Sequence, residues 1–312
     1  MKDKMNFSFV LPAYKGKFLK VAIDSILAQD YRDFELIVVD DCSPDHLDEI
    51  VSGYQDERVV YYKNTENIGG RDLVAQWNCC LEYAKGDYVI LATDDDLYEP
   101  TFLSTFVSLI EKYPDVDLFR ARIMQVDSQN NIIDIDKCYK EYLSPMEFRY
   151  HMMHGMRGGI PQYIFKRKTL VAKGGFVNFP KAWAADDATA LMMSDKGVVT
   201  SQEHLVRFRY SGINISSDRS HGLEKFKARL LFSAWMKEHS IVPQCEDEGW
   251  NQFYKRTVVD YLPIYCKVTL IATMNSMTWG HWLKGVSLLR SSDFFSLKDK
   301  CSILLRSLQN RI

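Results

Sequence analysis

The feature that most constrains this chain is an alternation in its first 115 residues. Short apolar runs of strand length are separated by stretches whose apolar residues recur every three or four positions. Phe7 to Leu11, Phe34 to Val39, Val59 to Tyr62 and Tyr88 to Ala92 read as strands. The second is nearly all apolar, as a strand covered on both faces should be, and Pro12 is expected to stop the first. Between them lie helical faces: Phe18, Leu19, Ala22, Ile23 and Ile26; then Leu47, Ile50, Val51 and Tyr54; then Leu73, Trp77, Cys80, Leu81 and Ala84; then Phe102, Phe106, Leu109 and Tyr113. This is the pattern of an α/β fold, a mostly parallel sheet flanked by helices.

Polar residues gather where the pattern puts strand C-termini. Pro12-Ala13-Tyr14, Asp40-Asp41, Asn64 to Arg71 and Thr93-Asp94-Asp95-Asp96 each follow a strand. Ligands of open parallel sheets bind outside the carboxyl ends of the strands, so these loops should converge on one site. Three consecutive carboxylates repel one another unless water screens them or a cation neutralises them. Mg2+ is commonly held by one or two carboxylates with substrate phosphates, which suits a nucleotide crevice; a solvated acidic turn before Pro100 accounts for the same residues without a metal. A calcium hand does not fit, because counting from Asp94 puts Glu99 at the turn-glycine position and Thr105 at the bidentate-Glu position. The chain has no GxGxxG after its first strand, no GxxxxGK followed by Ser or Thr, no HExxH and no GxSxG. Dinucleotide oxidoreductases, P-loop enzymes, zincins and serine hydrolases are thereby disfavoured.

Charge narrows the partners. With Lys+Arg 39 against Asp+Glu 41 and a formal charge of -2, the 312-residue chain has no global attraction for polyanions, and no nucleic-acid partner is expected. Its seven cysteines are odd in number and contain no CxxC, so reduced, intracellular thiols are expected in place of a disulfide framework or zinc ribbon. Met1 to Asn6 does not read as a secretory leader. Val258 to Met274, the nearest approach to a membrane span, is interrupted by Asp260, Pro263 and Lys267, so no span is expected.

Several of these segments, in order, carry a family resemblance. Phe9-Val10-Leu11-Pro12-Ala13-Tyr14, Ser25-Ile26-Leu27-Ala28-Gln29, Phe34 to Ser43, Asn67-Ile68-Gly69-Gly70-Arg71, Gly86-Asp87-Tyr88-Val89 and the Asp94 to Asp96 loop resemble a family 2 glycosyltransferase of the GT-A fold, over about residues 5 to 215. That resemblance implies a Rossmann-like nucleotide-binding sheet and an inverting transfer from a UDP- or dTDP-sugar. It also implies roles. Pro12, Ala13 and Tyr14 would hold the base, Tyr14 by stacking. Asp41 would accept a hydrogen bond from the base N3. Asn67 would join the nucleotide-binding set, with Arg71 near the base or diphosphate, and Asp94 would hold the ribose. Asp95, with Asp96 next to it, would bind Mg2+ or Mn2+. Thr93 departs from the acid common in the family, which leaves the metal fewer direct carboxylates. Bland roles exist for Tyr14 and Arg71, a packed ring and a surface ion pair.

In the second half, Arg120 to Asp136 alternates like two strands with a turn at Asn130-Asn131, and Gln162 to Phe165 reads as another strand. Gly174-Gly175-Phe176 followed by Asp186-Asp187 at the start of a helix is similar to the family's acceptor side. Asp187 is the candidate base that takes the acceptor hydroxyl's proton, with Asp186 one position away as the other candidate. A helix N-cap and a first-turn acid would explain the same pair without catalysis. Arg207, Arg209 and His221 are candidate donors to the diphosphate or metal.

The expected division is a catalytic domain over residues 1–220, with a nucleotide-sugar half (1–115) and an acceptor half (116–220), followed by a helical C-terminal region (221–312). In that region Leu297, Cys301, Leu304, Leu305 and Leu308 form an apolar face. Residues 281–312 carry six Lys/Arg against two Asp. Such a tail suits peripheral contact with an anionic membrane, packing on the catalytic domain, or a homodimer. The resulting expectation is a cytoplasmic enzyme, peripheral at the inner membrane face, that moves a sugar to a glycan or lipid-linked glycan hydroxyl in surface polysaccharide assembly. A noncatalytic nucleotide- or glycan-binding subunit is the alternative, and a nucleotidyltransferase a weaker third, since its Gly-rich basic first loop is missing.

Overall fold

The computed structural model describes residues 5–210, 212 and 220–309; Met1 to Lys4 and Arg311 of the basic tail lie outside them. The chain opens with β1 (Phe7–Ala13), α1 (Leu19–Leu27), β2 (Phe34–Asp40), α2 (Leu47–Val51), β3 (Val59–Lys63), α3 (Leu73–Tyr83) and β4 (Tyr88–Leu91). These strands form a parallel sheet in the order β3-β2-β1-β4. Next come β5 (Leu97–Tyr98), α4 (Phe102–Lys112), β6 (Leu118–Val126), β7 (Ile132–Ile135), β8 (Tyr142–Leu143), α5 (Pro145–Met153), β9 (Tyr163–Lys166), α6 (Arg167–Ala172), α7 (Ala185–Met193) and β10 (Val198–Arg209). The sheet continues from β4 through β9, β6, β10 and β5, with β9 antiparallel to both of its neighbours.

Both faces of the first strands are covered, which explains their unbroken apolar sequence. Phe7, Phe9 and Leu11 pack with α1 and α4 on one side, whereas Val10 packs with α3 on the other. Each such side chain contributes roughly 1.5–3 kcal/mol on burial. Asp72 caps α3 by accepting from the amides of Val74 and Ala75, and Ser144 with Glu147 forms a capping box at α5.

Pro12 does not end β1. It pairs with Val39 of β2, and the strand runs on to Ala13. The ladder to β4 stops at Val10, so at Pro12 a strand neighbour remains on one side and the missing N–H is tolerated. The expected hairpin is present as β6 and β7, and Asn130 takes the left-handed conformation (φ 69°) that asparagine accepts readily.

The C-terminal helices are α8 (Gly222–Glu238), α9 (Glu248–Tyr254), α10 (Leu262–Ser276), α11 (Trp279–Ser291) and α12 (Leu297–Gln309). A π turn over Lys255–Val259 joins α9 to α10. One stretch bears on the expectation of no span: counted through the π turn, residues Glu248–Ser276 are, by length and composition alone, long and apolar enough to cross a membrane. Pro263 lies in the first turn of α10, where its missing N–H is harmless. Leu262, Cys266, Leu270 and Met274 of this run are buried, and α10 packs against α8 and α12.

The apolar face of α12 also differs from the expected one. Ile303 and Ser307 are buried, with Leu304 and Leu308 partly so, whereas Leu297, Leu305 and Cys301 are exposed. The Trp282 indole N–H donates to Ser307 Oγ at 3.0 Å and fixes this rotation. The change from sheet to helices falls between β10 and α8, yet Phe226 and Phe232 of α8 belong to the same apolar cluster as Trp77 and Ala185.

Under the β6–β7 hairpin Arg120 and Asp136 are fully buried and paired, and Arg120 also donates to the Arg157 carbonyl. Breaking one side of a buried pair leaves an uncompensated charge. Asp136→Asn should lower stability by about 3–5 kcal/mol in urea denaturation monitored by circular dichroism.

Candidate active site

A crevice of about 540 Å³ opens at the C-terminal ends of β1, β2 and β4. Pro12, Tyr14, Asp41, Asn67, Asp94, Asp95 and Asp96 all line it. Two of the expected nucleotide-binding residues do not. Ala13 is buried, and its carbonyl accepts from the Asp41 amide. Arg71 points outward and pairs with Glu66 at 2.5 Å, both side chains about two-thirds exposed. That is the surface ion pair, worth at most about 1 kcal/mol.

The acids of the crevice serve the protein before any ligand. Asp41 Oδ1 accepts from Asn64 Nδ2 (2.8 Å) and the Ile68 amide (2.9 Å), and its Oδ2 accepts from the Gly69 amide (2.7 Å). It thereby shapes the loop carrying Asn67. A β-carbon at Gly69 would stand 2.9 Å from that same Oδ2, so the loop can approach only as glycine. Asp94 Oδ2 accepts from the amides of Tyr14 (3.0 Å) and Lys15 (2.8 Å). Burial raises its pKa, and these two donors oppose the rise.

Asp96 is 2% exposed. Its Oδ1 accepts from the Arg209 amide (2.7 Å) and its Oδ2 from Thr93 Oγ1 (2.5 Å). Burial, then the charge of Asp95, pushes its pKa well above the ordinary carboxylate range. Thr93 is therefore a donor to a buried acid at the point where a further carboxylate would repel it. This use of both Asp96 oxygens differs from the expected place beside a metal.

Arg209 packs its guanidinium over Phe18 and donates through Nε to the Asp95 carbonyl and through Nη1 to the Asp127 carbonyl. Arg207 pairs with Glu99 at 2.6 Å, while His221 lines the crevice. Among the described residues no group of three His, Cys, Asp or Glu is placed to enclose a metal. The donor set fits a hard cation shared between a carboxylate and the phosphates of a ligand, not one in a protein cage.

A second cavity of about 420 Å³ adjoins the first. Leu73, Trp77, Thr93, Lys181 and Phe208 line both. Asp186 and Asp187 face the second, beside Trp183 and Tyr210. The segment leading to them is strained. Lys181, Ala182 and Ala184 all have left-handed backbone (φ 55°, 53° and 67°), each costing on the order of 1–3 kcal/mol. Asp186 Oδ1 accepts from the Asp187 amide at 2.9 Å in the first turn of α7. Burial and the neighbouring Asp187 charge push Asp186 up to about 7. Burial also raises Asp187, opposed by Arg229, whose Nη1 lies 3.7 Å from Asp187 Oδ2. A β-carbon at Gly158 would stand 3.0 Å from Asp187 Oδ1, so Gly158 leaves room for that oxygen.

Arg229 of α8 and Tyr265 of α10 line this cavity, and sequence reasoning found neither. No local motif marks them, because they come together with Asp187 only through the packing of the C-terminal helices. Lys181 and Trp183 were missed as well; an aromatic and a cation just ahead of the acidic pair were the available signal.

The sequence pattern of glycosyl transferase family 2 matches residues 8–165, about half of the chain. An uncharacterized glycosyltransferase of Rickettsia typhi is 25% identical over 240 residues, covering 74% of this chain and 71% of that protein. The Escherichia coli protein WfaP, named UDP-Glc:alpha-D-GlcNAc-diphosphoundecaprenol beta-1,3-glucosyltransferase, is 30% identical over 105 residues, 33% of this chain and 41% of its own length. Among solved structures, S. aureus TarS 1-349 in complex with UDP-GlcNAc superposes with a TM-score of 0.66 at 17% identity, covering 98% of this chain and 92% of that one. The mannosyltransferase PcManGT of Pyrobaculum calidifontis, in complex with GDP-Man and Mn2+, gives 0.56 at 16% identity, covering 99% and 88%. The sheet order, the crevice at its carboxyl edge and the family match agree: this chain belongs to glycosyl transferase family 2 and is a glycosyltransferase of the GT-A fold.

Proposed function

We propose that this glycosyltransferase is inverting and metal-dependent, and moves a sugar from a UDP- or dTDP-sugar to a hydroxyl of a glycan or lipid-linked glycan in surface polysaccharide biosynthesis. One observation carries the reading: the acid-lined crevice and the cavity holding Asp186 and Asp187 share a wall at Trp77, Thr93, Lys181 and Phe208. A sugar attached to a nucleotide in the first would project toward the carboxylates of the second. The TarS complex with UDP-GlcNAc and the activity that WfaP is named for support the donor and acceptor classes.

In this reading Pro12 and Tyr14 bound the base, and Asp41 keeps the Asn67 loop against it. Asp94 holds the Tyr14-Lys15 backbone in place and faces the ribose. Asp95 would hold Mg2+ or Mn2+ together with the phosphate oxygens of the donor, and the ion would offset charge on the departing diphosphate. Asp96 steadies that loop from below. Lys181 and His221 line the crevice as further donors to the leaving group. Asp187 takes the proton of the acceptor hydroxyl, and the rings of Trp77 and Trp183 offer faces for a pyranose. The basic C-terminal helices, with Trp279, Leu283 and Leu297 exposed, would bring the enzyme to a cytoplasmic anionic membrane surface.

Asp95→Ala and Asp187→Ala should each cut transfer by at least about 100-fold. Titration calorimetry should show Mn2+-dependent UDP binding weakened in Asp95→Ala alone. A thermal-shift panel of nucleotide sugars tests the donor: UDP- or dTDP-sugars should raise the melting temperature with Mn2+ and lose that effect in EDTA, whereas stabilisation by a GDP-sugar alone would redirect the donor class. The product should carry the inverted anomeric configuration by NMR, and retention would remove Asp187 from its role.

The acidic pair also sets a pH dependence. The acids are protonated as pH falls through the raised pKa of the pair, about 7 at Asp186. Transfer should fall as pH drops through the raised pKa of Asp187, so its acid limb should lie above the ~3.9 of an ordinary exposed Asp. The groups facing the pair are Arg229, Tyr163 and Tyr265, and neither tyrosine ionises in this range. A pH–rate profile between pH 5 and 9 checks this.

A further inference from the structure

We propose that Arg229, on α8, is a positioning residue for Asp187: it holds the carboxylate at Oδ2, leaves Oδ1 on the Gly158 side of the cavity, and so makes the C-terminal helices part of the acceptor site. The inference rests on Asp187 being the base, and its test reads Arg229 separately from that reading.

The geometry supports the assignment from several sides. Arg229 Nη1 lies 3.7 Å from Asp187 Oδ2, and the two side chains are only 17% and 19% exposed, so solvent screens them weakly. Nη1 is buried and makes no hydrogen bond within the protein, which leaves its charge directed across that gap. The guanidinium is held in place by aromatic rings, with Cζ 5.9 Å from the Trp183 centroid and 5.6 Å from that of Phe232. Lys225, one turn earlier on the same helix, has its Nζ 4.5 Å from the centroid of the Trp183 ring. Trp183 belongs to the strained segment that delivers Asp187, so α8 grips that segment and the acid together.

Electrostatics gives the arrangement its effect. Asp187 is faced by Asp186 on its own helix, by Arg229 from α8, by Tyr265 from α10 and by Tyr163 from β9. Burial favours the protonated acid. Arg229 opposes the rise at Asp187, by its charge and as a nearby N–H donor, and favours the ionised form that accepts a proton. The Gly158 backbone leaves space at Oδ1, the oxygen that Arg229 does not hold.

The test needs no substrate. In protein labelled with 13C at the aspartate carboxyl carbon, the Asp187 signal is assigned by its loss in Asp187→Asn and titrated in wild type, Arg229→Met and Arg229→Lys. Its midpoint should rise by about one pH unit or more in Arg229→Met, and Arg229→Lys, which keeps the charge, should restore at least half of that shift. An unmoved midpoint in Arg229→Met with a native melting temperature would overturn the positioning role and leave Arg229 as packing. Should Arg229→Met fail to fold, Arg229→Lys and Arg229→Gln decide: equal midpoints in the two would overturn the proposal, and a higher one in Arg229→Gln would support it. Transfer that survives in Asp187→Asn removes the base reading whatever the midpoints show, so the two failures are distinct.

Discussion

The two parts of the sheet meet at a buried carboxylate. Asp96 closes the loop after β4 by accepting from Thr93, and ties that loop to the end of β10 by accepting from the Arg209 amide. Arg209 extends the join through the Asp95 carbonyl, the Asp127 carbonyl at the β6–β7 hairpin and the ring of Phe18 before α1. An unpaired buried carboxylate would cost several kcal/mol, so the loop has little freedom to leave this arrangement. Asp94 and Asp95 inherit their positions from it. The acid in the middle of the motif therefore lines the crevice on a support built by its neighbours, and burial, then the charge of Asp95, raises the pKa of the buried member.

A similar division of labour holds at the second acidic pair. Asp186 and Asp187 lie at the first turn of α7, reached through a backbone that is left-handed at Lys181, Ala182 and Ala184 although none of them is glycine. Such strain persists only where surrounding contacts over-determine it. Here they are the Lys181 ammonium on the Gly70 carbonyl at 3.1 Å, and Trp183 against Lys225 and Arg229. The first contact reaches back to the nucleotide side and the second to the C-terminal helices. The segment is thus fixed between the acid-lined crevice and the C-terminal helices.

The parallel strands were legible because burial on both faces leaves a continuous apolar run, and the loops after them because polar residues interrupt those runs at one end only. Pro12 misled by one rule: proline excludes a ladder hydrogen bond, but the ladder toward β4 had already ended at Val10. The loops' membership of one crevice could be inferred from topology, as with Asp41 and Asp95. Which acids turn their oxygens inward could not, since Asp96 and Asp95 are chemically identical neighbours, and Asp96 is set apart by Thr93 in its own loop and by the end of β10, 113 residues away. Arg71 and Arg229 make the same point in reverse: the arginine inside a glycine-rich motif lies on the surface, whereas one in an unremarkable helix reaches the acidic pair.

The near-equality of acids and bases in the whole chain is consistent with this layout. Acids concentrate at the sheet's carboxyl edge, and cations arrive there from distant segments: Lys181 from the loop before α7, Arg209 from β10, Arg229 from α8. Each enters as a single charge with a fixed place, which a basic cluster would not provide. Arg209 donates to carbonyls, Lys181 places one N–H on the Gly70 carbonyl, and Arg229 faces Asp187. A diphosphate entering such a crevice meets four carboxylates, those of Asp41, Asp94, Asp95 and Asp96, against three lysine or arginine cations, Lys15, Lys181 and Arg209. In the proposed reading, that balance, more than the sequence of the acidic loop, is the physical argument for a divalent ion brought in with the donor.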